Sequence, residues 1–276
     1  MRIVRDPAEM ARLTERWRGR GERLGFVPTM GALHAGHASL IRRARASDRR
    51  VAVSIFVNPT QFGPKEDLSR YPRPFAADAR LCRKEGVDAL FHPAPAAMYP
   101  PGSSTFVVVE GLSDVLCGAN RPGHFRGVAT VVLKLFNIVR PDDAYFGEKD
   151  YQQLVVIRRM VRDLDLPVRI VGCPIVREPD GLAMSSRNAY LRPSHRALAP
   201  LIHAGLSAAA RGGRSAGGVV AMARRRLAAI PEAELDYAAL VDPDTLAPAR
   251  TVRPGLRLLA AVRIGRTRLI DNVIIS

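Results

Sequence analysis

Short β-branched runs alternate with stretches of helical spacing over the first two-thirds of the chain. That alternation limits the possible folds more than any other feature. Leu24–Val27 ends at Pro28, and Val51–Val57 ends at Asn58-Pro59. Between them, Ala38–Ala46 places Leu40, Ile41 and Ala44 on one helical face and Arg42, Arg43 and Arg45 on the other. Val87–Phe91, Thr105–Val109 and Val168–Val171 read as further strands. Val128–Val139 and Tyr151–Leu164 read as helices, and Ala144-Tyr145-Phe146 leads into a glycine-containing loop. Strand, helix and strand at this spacing predict βαβ units and a parallel sheet, hence an α/β fold over residues 1–176. Residues 177–276 change in texture. Ser194–Ala210 and Ala216–Ile230 read as two helices, and Leu235–Val241, Leu256–Ile264 and Leu269–Ile275 as strands. A smaller α+β C-terminal domain is expected there.

Composition excludes several classes. Hydrophobic residues make up 47% and charged residues 25% of the 276 positions, ordinary for a folded globular chain and wrong for a disordered or fibrous one. No apolar run approaches the length of a bilayer span, and Met1–Pro7 carries no apolar leader core. A cytoplasmic protein without a membrane partner is expected. Cys82, Cys117 and Cys173 are too scattered for a disulfide framework or a metal site, which fits a reducing compartment. The net charge is +16, and 38 of the 42 basic residues are arginine. They are spread along the chain with no run longer than Arg224–Arg226, so the charge reads as compositional bias. No nucleic-acid motif accompanies it, and no specific nucleic-acid partner is expected.

Four segments carry polar residues suited to chemistry. Pro28-Thr29-Met30-Gly31-Ala32-Leu33-His34-Ala35-Gly36-His37 joins a strand to a helix. Its glycines allow close backbone approach, and the helix start presents free N–H groups and a positive dipole end to an anion. His34 and His37 can each donate to a phosphate oxygen and, when protonated, offset its charge. Gln61 follows a buried strand, where α/β sheets collect ligands. Gly147-Glu148-Lys149-Asp150 sits at another strand-to-helix junction; Lys149 suits phosphate, while Asp150 suits ribose hydroxyls or a helix cap. Ser185-Ser186-Arg187 offers two hydroxyls and a guanidinium. Arg121, in Arg121-Pro122-Gly123-His124-Phe125, is a weaker candidate for an anion contact.

The first segment resembles the His-x-Gly-His signature of the nucleotidyltransferase superfamily. With Val57–Phe62, Phe146–Leu154 and Gly181–Asn188 it resembles, more narrowly, the pantoate–β-alanine ligase family, from about residue 24 to about residue 191. The resemblance implies a Rossmann-like nucleotide-binding domain, a C-terminal lid and a homodimer. It implies a two-step ligation of pantoate with β-alanine through pantoyl adenylate, with ATP and Mg²⁺. ATP would meet Met30, Gly31, Ala32, Leu33, His34, Ala35, Gly36, His37, Gly147, Glu148, Lys149, Asp150, Val176, Met184, Ser185, Ser186 and Arg187, with His34, His37 and Lys149 catalytic. Gln61 and Gln153 would hold pantoate, with Gln61 and Tyr71 near β-alanine. Asp78 would face Mg²⁺, although Ala76 and Ala77 stand where the family tends to carry further acids. His37 is the candidate proton shuttle for the amine. A nucleotidyltransferase without a ligation step, and a basic nucleic-acid-binding protein, are the alternatives.

Overall fold

The computed structural model describes residues 1–64 and 66–276. Its strands β1 (Arg2–Val4), β2 (Leu24–Thr29), β3 (Arg50–Ile55), β4 (Ala89–Phe91), β5 (Asp143–Gly147) and β6 (Arg169–Cys173) pair in parallel. Their order is β1-β4-β3-β2-β5-β6. From β2 the chain builds outward to β3 and β4, then returns to place β5 on the other side. Such a reversal leaves a crevice beyond the carboxyl ends of the strands on either side of it. β3 is buried on both faces from Val51 to Ile55, which explains its unbroken apolar run.

The connecting helices are α1 (Pro7–Arg18), α2 (Ala35–Ser47), α3 (Phe75–Lys84), the one-turn α4 (Pro95–Met98) and α5 (Cys117–Asn120), α6 (His124–Val139) and α7 (Tyr151–Asp163). β1, α1 and α3 were not anticipated. For α1 the signal is present: Asp6 caps it by accepting from the Glu9 N–H at 2.7 Å, and Pro7 opens the first turn. The strand expected at Thr105–Val109 does not form. That segment has no sheet neighbour, and the Val107 N–H donates instead to Thr130 Oγ1 at 2.9 Å.

In the C-terminal part, the helix expected over Ser194–Ala210 is divided into α8 (Pro193–Leu198) and α9 (Pro200–Gly212), because Pro200 has no N–H to continue the ladder. Helix α10 (Ala216–Ala228) follows, then an antiparallel meander of β7 (Ala233–Val241), β8 (Arg257–Ile264) and β9 (Thr267–Ile274). Alternation along these strands gives the sheet two buried faces. Ala238, Leu240, Leu258, Ala260 and Val262 pack with the apolar side of α9 and α10. Val241 and Leu259, with Tyr237, Ala239 and Ile270, join the core of the parallel sheet. The two sheets therefore share a wall, although each has its own core. Polar ties reinforce it: Arg257 Nη2 donates to Glu148 Oε2 at 2.8 Å, and Asn272 Nδ2 donates to the Glu148 carbonyl at 2.8 Å.

At the amino ends of the parallel strands, Asp48 is 4% exposed and Asp143 is fully buried. Asp143 receives Arg169 at 2.6 Å and Arg23 at 2.7 Å. Asp48 Oδ2 accepts the Tyr145 hydroxyl at 2.6 Å, while its Oδ1 has no hydrogen-bond partner. Burial, and then the neighbouring Asp143 charge, pushes Asp48 up to about 6. A carboxyl raised in the folded state holds a proton that the unfolded chain has already lost. Its contribution to stability is present at low pH and declines as pH rises from about 4 to about 6. Asp48→Asn keeps the shape without the charge. It is expected to remove that decline and to melt a few degrees higher than the parent at pH 7.5 in a thermal unfolding series across pH.

Candidate active site

Four loops meet beyond the carboxyl ends of β2, β3, β5 and β6. The β2–α2 loop turns on two successive left-handed residues, Gly31 at φ 85° and Ala32 at φ 51°. Asp78 on α3, 2% exposed, lies beneath them. Its Oδ2 accepts the Ala32 N–H at 2.9 Å and its Oδ1 accepts the Leu33 N–H at 2.8 Å. Burial raises its pKa against these two bonds. A Cβ on Gly31 would stand 3.0 Å from Asp78 Oδ2 and 3.0 Å from Ile55 Cγ2, so only glycine fits.

The loop delivers α2 with His34 as its N-cap. His34 Nδ1 accepts the Gly36 N–H at 3.2 Å, and His37 Nδ1 accepts the His34 N–H at 3.3 Å. Both inner nitrogens are thus acceptors, which places each ring proton on Nε2. The ring centroids are 4.2 Å apart. Burial, with Lys149 nearby, lowers His34 to about 4; burial, with His34 nearby, lowers His37 to about 3. Near pH 7 the pair therefore supplies neutral N–H donors. The expected imidazolium charge is absent, and the cation of this corner is Lys149.

The turn after β5, Glu148–Asp150, sets Lys149 Nζ 3.8 Å from Asp150 Oδ2. Asp150 makes no capping hydrogen bond to α7. Glu148 turns away from the cleft to Arg257, so its side chain joins the two sheets. Opposite, Ser185 Oγ accepts the Arg187 N–H at 3.3 Å, and the Ser186 and Tyr71 hydroxyls lie 3.2 Å apart. Arg187 is held bidentately by Asp67, with both contacts at 3.1 Å. On the β3 loop, Gln61 Oε1 accepts from Asn58 Nδ2 at 3.1 Å, and Gln61 Nε2 approaches Met30 Sδ at 3.0 Å.

These groups line a cavity of about 220 Å³. It brings together Met30, His34, Gly36, His37, Gln61, Tyr71, Gly147, Lys149, Asp150, Gln153, Val176, Met184, Ser185, Ser186 and Arg187. Phe56, Val128, Val131, Val132 and Leu135 give it an apolar wall that the motifs did not foretell. It shares Lys149, Asp150, Gln153 and Arg187 with a cleft of about 560 Å³ that extends to β8 and β9. Gly31, Ala32, Leu33 and Ala35 shape the turn without lining the cavity. Asp78 does not line it either: both its oxygens serve the loop backbone, so it acts from beneath, and the expectation of a metal-facing carboxylate gives way to that role. Arg121 also lines both cavities, with its guanidinium paired to Glu66 much as Arg187 is paired to Asp67.

Fold and cleft together define an α/β protein of the His-x-Gly-His type, with an anion-receptive turn where its sheet reverses order. A sequence model described as pantoate-beta-alanine ligase matches residues 2–274. The pantothenate synthetase of Syntrophotalea carbinolica is 54% identical over 276 residues, covering 99% of this chain and 98% of the relative. That of Thermotoga neapolitana is 52% identical over 280 residues, with both chains fully covered. The crystal structure of pantothenate synthetase from Thermus thermophilus superposes with a TM-score of 0.95 at 50% identity, covering 100% of this chain and 99% of that one. The pantoate-beta-alanine ligase of Francisella tularensis, complexed with beta-gamma ATP and beta-alanine, gives a TM-score of 0.84 at 34% identity, covering 99% and 97%. The chain belongs to the pantoate–β-alanine ligase family.

Asp78→Ala strands two buried N–H groups behind the turn. It is expected to cost about 2–4 kcal/mol in denaturant unfolding, against about 0.5 kcal/mol or less for Asp150→Ala at the partly open cleft. Equal costs would mean that Asp78 does not hold the loop.

Proposed function

We propose that the cleft performs its family's ATP-dependent joining of pantoate to β-alanine through a pantoyl adenylate, with the triphosphate on the His34–His37 turn and the acid beside it. The observation that carries this reading is one shared cavity. Two neutral imidazole donors and Lys149 face the same space as Gln61 and Gln153. A pantoate carboxylate is already an anion at neutral pH, so its attack on the α-phosphorus needs no base. What the step needs is alignment and stabilisation of charge on the departing pyrophosphate. The Nε2–H groups of His34 and His37 and the Lys149 ammonium supply donors to it. Gln61 and Gln153 hold the acid through its hydroxyls and carboxylate, against the apolar wall.

The donor set suits a Mg²⁺ that arrives on the nucleotide and draws most of its coordination from phosphate and water. Among the described residues no three His, Cys, Asp or Glu side chains converge, and Asp150 is the carboxylate placed to touch such an ion. When bound, Mg²⁺ neutralises phosphate charge. Ser186 and Arg187 close on the phosphates from the opposite side, and Tyr71 borders the amine. Only about one amine in a thousand is uncharged near pH 7. His37 does not accept the amine's proton, because its lone pair on Nδ1 is turned back to the His34 N–H. The uncharged amine is instead drawn from solution and attacks the activated carbonyl; the acyl C–O bond to AMP breaks, and the proton shed by the nitrogen leaves with the AMP phosphate or passes to water. The C-terminal unit, residues 177–276, shields the adenylate as a lid.

No helix among the described residues is long and apolar enough to cross a membrane; the cytoplasmic location is part of the proposal. A homodimer would cover exposed apolar side chains of the first unit. Phe106, Val108 and Val115 are 40%, 53% and 40% exposed, on and just beyond the unpaired segment Thr105–Val109. Sedimentation equilibrium is expected to give twice the 30.1 kDa chain mass, and a Val108→Asp variant to shift toward monomer.

Exchange of labelled pyrophosphate into ATP is expected to require pantoate, and AMP release to require β-alanine in addition. Exchange with another acceptor and none with pantoate would overturn the reading. His37→Gln keeps an N–H near the place of Nε2, whereas His37→Asn does not. The Asn variant is expected to lose about 10²–10³-fold in the exchange rate, and the Gln variant markedly less. The exchange rate should not rise as pH falls from 8 to 6, since neither imidazole gains a proton in that range.

A further inference from the structure

The Arg121-Pro122-Gly123-His124 segment lies outside the nucleotide turn, although Arg121 and His124 reach the edge of the same cavity, and it is built onto the loop that carries Gln61. Gly123, at φ 80°, ends the loop, and His124 opens α6. His124 Nδ1 lies 2.8 Å from the Gln61 carbonyl oxygen. A carbonyl only accepts, so Nδ1 carries the ring proton and donates it. Nε2 is then a bare lone pair, and it faces Arg121 Nη1 at 3.0 Å, a group that only donates. The other guanidinium edge is shared: Nε donates to Glu66 Oε1 at 2.9 Å, and Nη2 donates to Glu66 Oε2 at 2.5 Å and, more weakly, to the Gln61 carbonyl at 3.4 Å. Every hydrogen bond in this chain thus has one permitted direction, from Arg121 to Glu66 on one side, and from Arg121 through His124 to the Gln61 carbonyl on the other.

The turn receiving that last bond is gripped from other sides as well. Asn58 Nδ2 donates both to Gln61 Oε1 and to the Gly127 carbonyl, each at 3.1 Å. The Tyr99 hydroxyl donates to Asn58 Oδ1 at 2.9 Å. Helix α6 comes so close that a Cβ on Gly127 would stand 2.4 Å from the Thr60 carbonyl oxygen and 2.7 Å from Gln61 Cα. Burial, with Arg121 beside the ring, lowers His124 to about 4, so the ring keeps a single proton at neutral pH.

We propose that Glu66, Arg121 and His124 form a positioning relay that fixes the Gln61 turn by its backbone carbonyl and thereby sets the Gln61 carboxamide for the acid substrate. The proposal rests on the pantoate reading of the cleft and adds three residues that act through Gln61, on the loop after β3 rather than on the nucleotide turn after β2. Misplacement of a positioned group by about an ångström is enough to cost about a hundredfold. A loosened turn is therefore felt by the acid more than by ATP.

The test is steady-state kinetics with pantoate and ATP varied separately, on the parent enzyme, His124→Phe, His124→Asn and Arg121→Met. The phenylalanine variant keeps a ring but removes the 2.8 Å donor, leaving the Gln61 carbonyl only the longer 3.4 Å contact from Arg121 Nη2. It is expected to raise the pantoate KM at least about tenfold while the ATP KM moves less than about twofold. The asparagine amide can place an N–H where Nδ1–H stood, and is expected to return the pantoate KM to within about threefold of the parent. Arg121→Met leaves the His124–Gln61 bond but removes the support on Nε2 and the direct Arg121 contact to the Gln61 carbonyl, and is expected to fall between the two; it carries the test should the phenylalanine variant not fold. Equal impairment in the Phe and Asn variants, parallel rises in both KM values, or an unchanged pantoate KM in Arg121→Met would overturn the relay. A parent enzyme that ignores pantoate would overturn the reading of the cleft itself, which separates the two failures.

Discussion

A buried carboxylate under a left-handed turn is the contact on which the cleft depends. Left-handed backbone at a residue with a Cβ costs about 1–2 kcal/mol, and here it falls on Ala32 directly after Gly31. Two bonds donated to the Asp78 carboxyl by the Ala32 and Leu33 N–H groups offset that cost. With the turn fixed, α2 starts at Ala35, His34 becomes its cap, and both imidazoles are locked with Nδ1 inward. The position of the loop, the identity of the donors and their lack of charge all follow from one side chain reaching across from a different helix.

That dependence explains what the sequence disclosed and what it did not. The loops at the ends of β2, β3 and β5 were legible because strand termination, glycine and proline are local signals, and ligand sites in parallel sheets gather at those ends. The cap at Asp6-Pro7 is equally local and could have revealed α1. The role of Asp78 was not legible. Its partners are 45 and 46 residues distant, and an acidic side chain on an amphipathic helix reads as solvated. The charge state of the imidazoles was hidden for a similar reason, since burial decides it. Glu148 sits inside one of the four motifs but turns outward, because Arg257 and Asn272 arrive from a sheet formed more than a hundred residues later. Thr105–Val109 has the composition of a strand and no neighbour with which to pair, so propensity alone could not make it one.

The arrangement of the two sheets adds a mechanical link. β8 and β9 contribute apolar side chains to the parallel-sheet core and hold Glu148 by both its carboxylate and its carbonyl. Lys149 is the next residue. The orientation of the C-terminal sheet and the placement of the cleft's ammonium are therefore set by a common pair of contacts, through a single peptide unit.

The pairing of Arg187 with Asp67 has a consequence for how anions compete in the cleft. A guanidinium already bound to a carboxylate is not a bare cation awaiting any counter-ion. A newcomer must displace a tethered rival whose local concentration is fixed by the fold. Stray chloride or a small carboxylate acts as a single point of charge and wins little in that exchange, whereas a polyphosphate can engage several donors at once. On the proposed nucleotide reading, the acidic side chain would work as a built-in threshold, favouring multivalent anions over the monovalent salt around an arginine-rich protein.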